Sequence, residues 1–524
     1  MSHPVSTAQR TLLGGDVVRA GSESAYRHFR FGPGEAHGLR SDLILDEAMH
    51  TKNDGRTLLR FAHLTDLHIA DTQSPLRLDF ASRDTEGLSR WEGAVTYTHR
   101  AQELMTVHAA AAIVDTLSRL GIELAVVTGD CVDNVQYNEL RNFLAVVNGE
   151  KVSPISAGGI YEGPQHEGWG DRRYWMPEGN SDEYQDRWGY PRLPGLLEAV
   201  SREFVAPGFQ SAWLGCLGNH DLLVGGTTKV GEGLSAIATG AQKAVDFHRG
   251  FDFQNPLGLY LSNPEELYAG PSKTIRSDVD RRLFSPAEFA AAHVGSSKSG
   301  TSGGHGFTAE NVAAGTAYYS YDPVPGIRVI VLDTNHREGY WDGSMDQRQL
   351  SWFREQLSAV SGPDAPYVII ASHHATPSIN NTYGVCNDTK HSAAYATEIL
   401  QSALMSPQVI LWLNGHHHAN RISAHYRSGG GGLFEITTAS IVDSPGQARV
   451  LDVIDHGSGG VEIISTMYDA DVPLIPPSDL DDFSTLASLH REIAANDRWR
   501  GGARQGLGGL PTDRNVRMFV PKTW

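Results

Sequence analysis

Residues 58–68 read LLRFAHLTDLH: a short apolar run that stops at Thr65 and is followed at once by Asp66 and His68. Such a run, bounded by polar residues, reads as a buried strand whose C-terminal end opens on a polar site. Side chains alternate along a strand. Asp66 and His68 are therefore expected on one side, with Leu67 turned away.

The same punctuation recurs along the chain. Residues 123–128 lead into Gly129-Asp130, and 212–217 into Gly218-Asn219-His220-Asp221. Residues 328–332 lead into Asp333-Thr334, 367–371 into Ser372-His373-His374, and 409–413 into Asn414-Gly415-His416-His417-His418. Apolar residues at helical spacing fill 101–120, 345–360 and 392–404. Strands alternating with helices predict an α/β fold. Ligands of such sheets sit at the C-terminal strand ends, where all of these polar clusters fall.

The 524 residues suffice for one large elaborated domain, or for two to three ordinary ones. With 40% hydrophobic and 20% charged residues, the composition is that of a globular protein. A net charge of -18 gives no general attraction to nucleic acid or to an anionic membrane, so no nucleic-acid partner is expected. Cys131, Cys216 and Cys386 are too few for a disulfide framework, and none is assigned a catalytic role. Cys386 reads as part of a loop. No stretch resembles a secretory signal or is long enough to span a bilayer, which predicts a cytoplasmic chain without integral membrane contact.

Residues 1–56 read as an N-terminal arm, 57–450 as the catalytic domain and 451–524 as a C-terminal extension packed on it. Two segments interrupt the rhythm, at about 136–207 and 222–316. The first carries Trp169, Tyr174, Trp175, Tyr184, Trp188 and Tyr190, which favour an ordered cap over disordered decoration.

Taken singly, each polar cluster is a weak signal, since surface pairs and turns use the same residues. Their chemistry nevertheless converges. A carboxylate beside an imidazole suits a divalent cation, as with Asp66 and His68. Asp130 can bridge two cations. The Asn219 carbonyl oxygen can ligate a metal while its amide reaches a phosphate oxygen. His220 can protonate a leaving group, with Asp221 orienting its ring. One ligand is expected from His373 and His374; His373, the first residue after the strand, is preferred. His416 and His418 alternate, with His417 between them turned away. Arg281 and Arg282, with Lys273 and Arg276, form a basic cluster that could clamp a second anionic group. Surface ion pairs with Asp278 and Asp280 are the alternative.

Together and in this order, these motifs resemble the calcineurin-like metallophosphoesterase superfamily. Its pattern is Asp-x-His, Gly-Asp-x-x-Asp, Gly-Asn-His-Asp/Glu, His and Gly-His-x-His. The matching residues are Asp66/His68, Gly129/Asp130/Asp133, Gly218/Asn219/His220/Asp221, His373 and Gly415/His416/His418, within 57–450. The resemblance implies a four-layer α/β/β/α sandwich with long cap insertions and two divalent ions of manganese, iron or zinc. One ion would take Asp66, His68, Asp130 and His418; the other would take Asp130, Asn219, His373 and His416. Asp333 would be structural.

Departures narrow the resemblance. Asn134 and Val135 follow Asp133, and Asp221 follows His220, unlike the Arg-Gly and Glu of protein Ser/Thr phosphatases. Purple acid phosphatases carry a ligating Tyr at the position of Asp133. The chain is more similar to bacterial cyclic-nucleotide and glycerophosphodiester phosphodiesterases, and to a group of actinobacterial metallophosphoesterases. The implied activity is hydrolysis of a small phosphodiester by in-line attack of a metal-bridging hydroxide. A phosphomonoesterase acting on a small metabolite is the alternative. A nuclease, and a non-catalytic scaffold of the same fold, rank lower.

Overall fold

All six apolar runs are strands, and they are divided between two sheets. The computed structural model describes residues 3–44, 55–83, 99–296, 304–362, 364–384, 393–497 and 506–523, so Cys386 lies outside the described residues.

The seven-stranded sheet has the order Gly38–Arg40, Val516–Val520, Val461–Asp469, Gln447–Asp455, Arg56–Leu64, Leu124–Val127, Ala212–Gly215. Its last three strands are parallel, so their C-terminal ends share one edge. The six-stranded sheet has the order Tyr319–Val324, Ile327–Val331, Tyr367–Ala371, Val409–Asn414, Gly432–Thr437, Arg421–Tyr426. Its four inner strands are parallel, and the outer two pair antiparallel.

Residue parity shows what covers each face. Val329, Val331, Ile369, Ala371, Leu411 and Leu413 share one buried cluster with Phe61, Leu64, Leu124 and Leu214 of the other sheet. Their neighbours Ile330, Val368, Ile370 and Trp412 pack instead on Leu350, Phe353 and Leu357 of helix Gln347–Ala359 and on Ile399 of helix Ala396–Met405. The six-stranded sheet is thus apolar on both faces, as inner parallel strands require. Helix Thr106–Ser118 adds Val107, Ala110, Ile113 and Val114 to the shared cluster and packs on helix Phe483–Asn496.

The expected divisions at residues 56 and 450 do not follow the packing. Gly38–Arg40, Val461–Asp469 and Val516–Val520 are strands of the seven-stranded sheet, and Gln447–Asp455 runs straight across residue 450 while pairing with Arg56–Leu64. Both chain ends therefore build the core sheet. The aromatic insertion is ordered: Trp175, Tyr184, Trp188 and Tyr190 are buried with Tyr26, Leu486 and Ile493. The second insertion packs Phe251, Tyr260 and Leu267 on Leu78 and Phe80. Among the described residues, no helix is long and apolar enough to cross a membrane.

Candidate metal centre

The polar clusters lie just past the strand ends, in loops of unusual backbone. Asp66, His68, Asp130, His416 and His418 all adopt positive φ, at 52°, 44°, 48°, 67° and 54°. Strand alternation is therefore not what turns Asp66 and His68, or His416 and His418, to a common side. Strand Arg56–Leu64 has already ended, and the loops curl left-handed. Each such residue costs on the order of 1–3 kcal/mol and persists only where its surroundings fix it. Here the loops fix one another: Asp66 N–H donates to Gly129 O at 3.1 Å and His68 N–H to Asp130 O at 3.0 Å. Two glycines permit the approach. A Cβ on Gly415 would lie 2.0 Å from Thr65 Oγ1, and one on Gly218 would lie 2.2 Å from the Asp130 nitrogen.

The side chains converge in two overlapping groups. In the first, His68 Nε2 and His418 Nε2 are 3.1 Å apart, and Asp66 Oδ1 lies 3.3 Å from His418 Nε2 and 3.9 Å from His68 Nε2. In the second, Asn219 Oδ1 lies 2.9 Å from His373 Nε2 and 3.2 Å from His416 Nδ1. Asp130 belongs to both, with Oδ2 at 3.6 Å from His68 Nε2 and 3.2 Å from His373 Nε2.

The far nitrogen of each imidazole faces an oxygen outside these groups. His68 Nδ1 faces Asp133 Oδ1 at 3.1 Å, and His418 Nδ1 faces Asp443 Oδ2 at 2.7 Å. His373 Nδ1 faces the Thr128 carbonyl at 2.8 Å, and His416 Nε2 has Asp342 Oδ1 at 4.0 Å. An imidazole held by one nitrogen presents the lone pair of the other, which is how metal-ligating histidines are oriented. Carboxylate, imidazole and amide oxygen donors suit a borderline divalent cation, so this donor set fits two metal ions sharing Asp130.

The structure separates His373 from His374. His374 Nδ1 faces Thr334 Oγ1 at 3.0 Å and its Nε2 faces the Trp341 carbonyl at 2.9 Å, so both nitrogens have protein partners. His373 Nε2 instead lies near Asp130 Oδ2 and Asn219 Oδ1. The Asn219 amide donates to Gly226 O at 2.9 Å, which turns its oxygen into the cluster.

Asp221 does not orient His220. Its carboxylate accepts from Val132 N–H at 3.0 Å and Gly218 N–H at 2.8 Å, closing the turn on which both residues sit. The tight turn sends sequence neighbours in different directions. His220 Nδ1 instead meets the Asp133 carbonyl at 2.6 Å, and its ring centroid lies 4.5 Å from that of His68. Arg281 and Arg282 do not form the expected anion clamp. Arg281 is buried, with its guanidinium on Asp71 at 2.9 Å and on Ser156 Oγ at 2.8 Å. Arg282 is on the surface, paired with Glu288 at 2.7 Å and set over the Tyr137 ring. Arg276 pairs with Glu162, and Lys273 lies over Trp169. Asp333 accepts from Asn335 N–H at 3.1 Å, a local structural role.

Electrostatics match a site built for cations. Burial alone would raise the Asp130 carboxyl, but His373 and His220 outweigh it and hold Asp130 well below the usual range. Burial opposes charge on His418, yet Asp66 and Asp443 push it up to about 10. Burial likewise opposes His373, and Asp130 pushes it up to about 9. Buried Asp443, Arg77 and Arg100 and half-buried Asp342 around the site carry no motif, and sequence reasoning passed them over. Cys131 and Cys216 are buried free thiols, each raised by that burial.

Fold and site together define an α/β protein with a buried, convergent Asp/His/Asn centre suited to two divalent metals. No protein-family model matches the chain, and no curated protein matches it. Among solved structures it is similar to a dimetal phosphatase from Danio rerio, at 12% identity and TM-score 0.34, over 79% of this chain and 97% of that one. It is also similar to GAP50, the anchor in the inner membrane complex of Plasmodium, at 11% identity and TM-score 0.27, over 84% and 95%. PhoD matches at 10% identity and TM-score 0.27, over 85% of this chain and 75% of that one. These are loose likenesses, and the reading below rests on the geometry of the site.

Proposed function

We propose that this chain is a metal-dependent phosphoester hydrolase with two divalent ions of manganese, iron or zinc, acting on a small phosphodiester. The observation that carries the reading is Asp130 Oδ2, placed between His68 Nε2 and His373 Nε2 at 3.6 and 3.2 Å. One carboxylate shared by two sets of donors is the arrangement a two-metal centre requires. Asp66, His68, Asp130 and His418 would hold one ion; Asp130, Asn219, His373 and His416 would hold the other. The two sheets and their flanking helices support reading the fold as a four-layer α/β/β/α sandwich.

Such a pair of ions polarises phosphoryl oxygens and makes bound water acidic. The chain's own residues do the rest. Asp66 and Asp130 supply negative charge, and His68, His418 and His373 are held in place by their outer partners Asp133, Asp443 and the Thr128 carbonyl. His220, with Nδ1 on the Asp133 carbonyl, has Nε2 left to protonate the departing alkoxide. The Asp133 carbonyl takes over the orienting role expected of Asp221.

Hydrolysis of bis(p-nitrophenyl) phosphate against p-nitrophenyl phosphate tests the reading, with manganese-loaded protein and a chelated control. Faster, chelator-sensitive cleavage of the diester is expected. Faster cleavage of the monoester overturns the diester preference, and cleavage of neither by metal-loaded protein overturns the enzyme reading in favour of a scaffold.

A further inference from the structure

His68 and His418, the two imidazoles of the first metal group, are each backed by a carboxylate, Asp133 and Asp443. These two acids come from distant parts of the chain, and one guanidinium spans them. Arg100 Nε donates to Asp443 Oδ1 at 3.0 Å, and Arg100 Nη1 lies 3.9 Å from Asp133 Oδ1. Arg77 adds a second buried cation on Asp133. Arg100, Asp443 and Asp133 are all buried, where an isolated carboxylate would lose its charge. The second group has no such backing: the far nitrogen of His373 meets a backbone carbonyl, and Asp342 stands 4.0 Å from His416.

Building on the two-metal reading, we propose that Arg100 is a positioning residue for one metal site only. It ties Asp133 and Asp443 together as charged acceptors, and through them sets the aim of His68 and His418. It touches neither the metals nor the substrate. Removing it lets the two acids repel and swing, which loosens the first site and leaves the Asn219/His373/His416 site as it was.

The test is a Co(II) titration of chelator-stripped full-length protein, followed by its visible absorption, for wild type, Arg100→Met, Arg100→Lys and Asp443→Asn. Apo-protein melting is followed in parallel. Wild type is expected to bind two equivalents. Arg100→Met and Asp443→Asn should each weaken the same single equivalent, by about ten- to a hundred-fold. Arg100→Lys should recover part of the loss. A purely structural role would lower melting and weaken both equivalents alike, which overturns the proposal. If Arg100→Met does not fold, Arg100→Lys and Asp443→Asn decide: wild-type affinity for both equivalents in these variants overturns it. Wild type that binds no Co(II) sinks the metal centre itself. Wild type that binds two, with variants that match it, sinks only the role of Arg100.

Discussion

His68 Nε2 and His418 Nε2 face each other at 3.1 Å, their rings tilted by 58°. Each ring's other nitrogen is engaged by a carboxylate. At this distance the two nitrogens share one proton as donor and acceptor; a cation in the proton's place would bond both. With Asp66 and Asp130 at the same point, this pair is the best evidence in the chain for a metal position.

Asp66 and Asp130 should behave differently when neutralised. Asp66 Oδ1 lies 3.3 and 3.9 Å from His418 Nε2 and His68 Nε2 of the first group, and its carboxylate also accepts from the His416 backbone N–H, whereas Asp130 Oδ2 lies between His68 Nε2 and His373 Nε2. Asp66→Asn is expected to lose about one metal ion per chain and Asp130→Asn most of both. Elemental analysis of the purified variants reads this directly. Full occupancy in either one contradicts the assignment.

His220→Ala should keep its metals, since the imidazole packs on the His68 ring and its Nδ1 meets the Asp133 carbonyl, so it supplies neither group with a ligand atom. Turnover should fall by about a hundred- to ten-thousand-fold for a poor leaving group and much less for p-nitrophenol. Equal losses for both leaving groups would remove the general-acid role. Asp221→Asn should leave the leaving-group dependence unchanged, because Asp221 closes the Gly218 turn and does not reach His220.

Gly415→Ala tests the loop crossing. The added Cβ would lie 2.0 Å from Thr65 Oγ1 and 2.3 Å from Asp66 Oδ2. Overpacking of this kind costs about 1–3 kcal/mol and here also displaces a ligand. A lowered melting temperature together with weaker metal retention is expected. A variant that matches wild type in both shows that the loops give way more easily than the contacts imply.

Acid should destabilise the fold through buried histidines that belong to neither donor group. Burial lowers His108 and His305 to about 3 and His293 to about 4, from an ordinary value of 6.5. Unfolded, each binds a proton below pH 6.5; folded, none does until near pH 3–4. Their contribution is complete above 6.5 and declines as pH falls through that window, by up to about 1.4 kcal/mol per pH unit for each imidazole. Chemical denaturation of apo-protein at pH 7 and pH 5 checks this. Replacing His305 with a residue that does not titrate, such as Gln, should flatten the slope, and an unchanged slope excludes it as a contributor.

Much of this molecule is legible in its sequence because buried parallel strands leave a plain mark: largely apolar runs that stop abruptly at a polar residue or glycine. Residues 58–64, 367–371 and 409–413 all read correctly for that reason. The pairing of Asp66 with His68 in one group is also legible, although left-handed loops rather than strand pleating produce it, whereas His416 and His418 turn to different groups. What stays hidden is contact across distance. Asp443 is 25 residues from His418, and Arg100 is 343 from Asp443, and no local pattern marks either. The pairing of His220 with Asp221 shows the converse: adjacency in sequence does not make contact in a tight turn. Arg281 misleads for a related reason, since a run of basic residues does not reveal that Asp71 lies waiting beneath it.

On the proposed reading, two ions sharing Asp130 make this chain a phosphoester hydrolase. The most direct measurement adds Mn(II) stepwise to chelator-stripped protein while following p-nitrophenol release from bis(p-nitrophenyl) phosphate. Little release is expected up to the first equivalent, with a rise that levels off at two per chain. Release that is already full without metal, or that never appears at any number of equivalents, contradicts it.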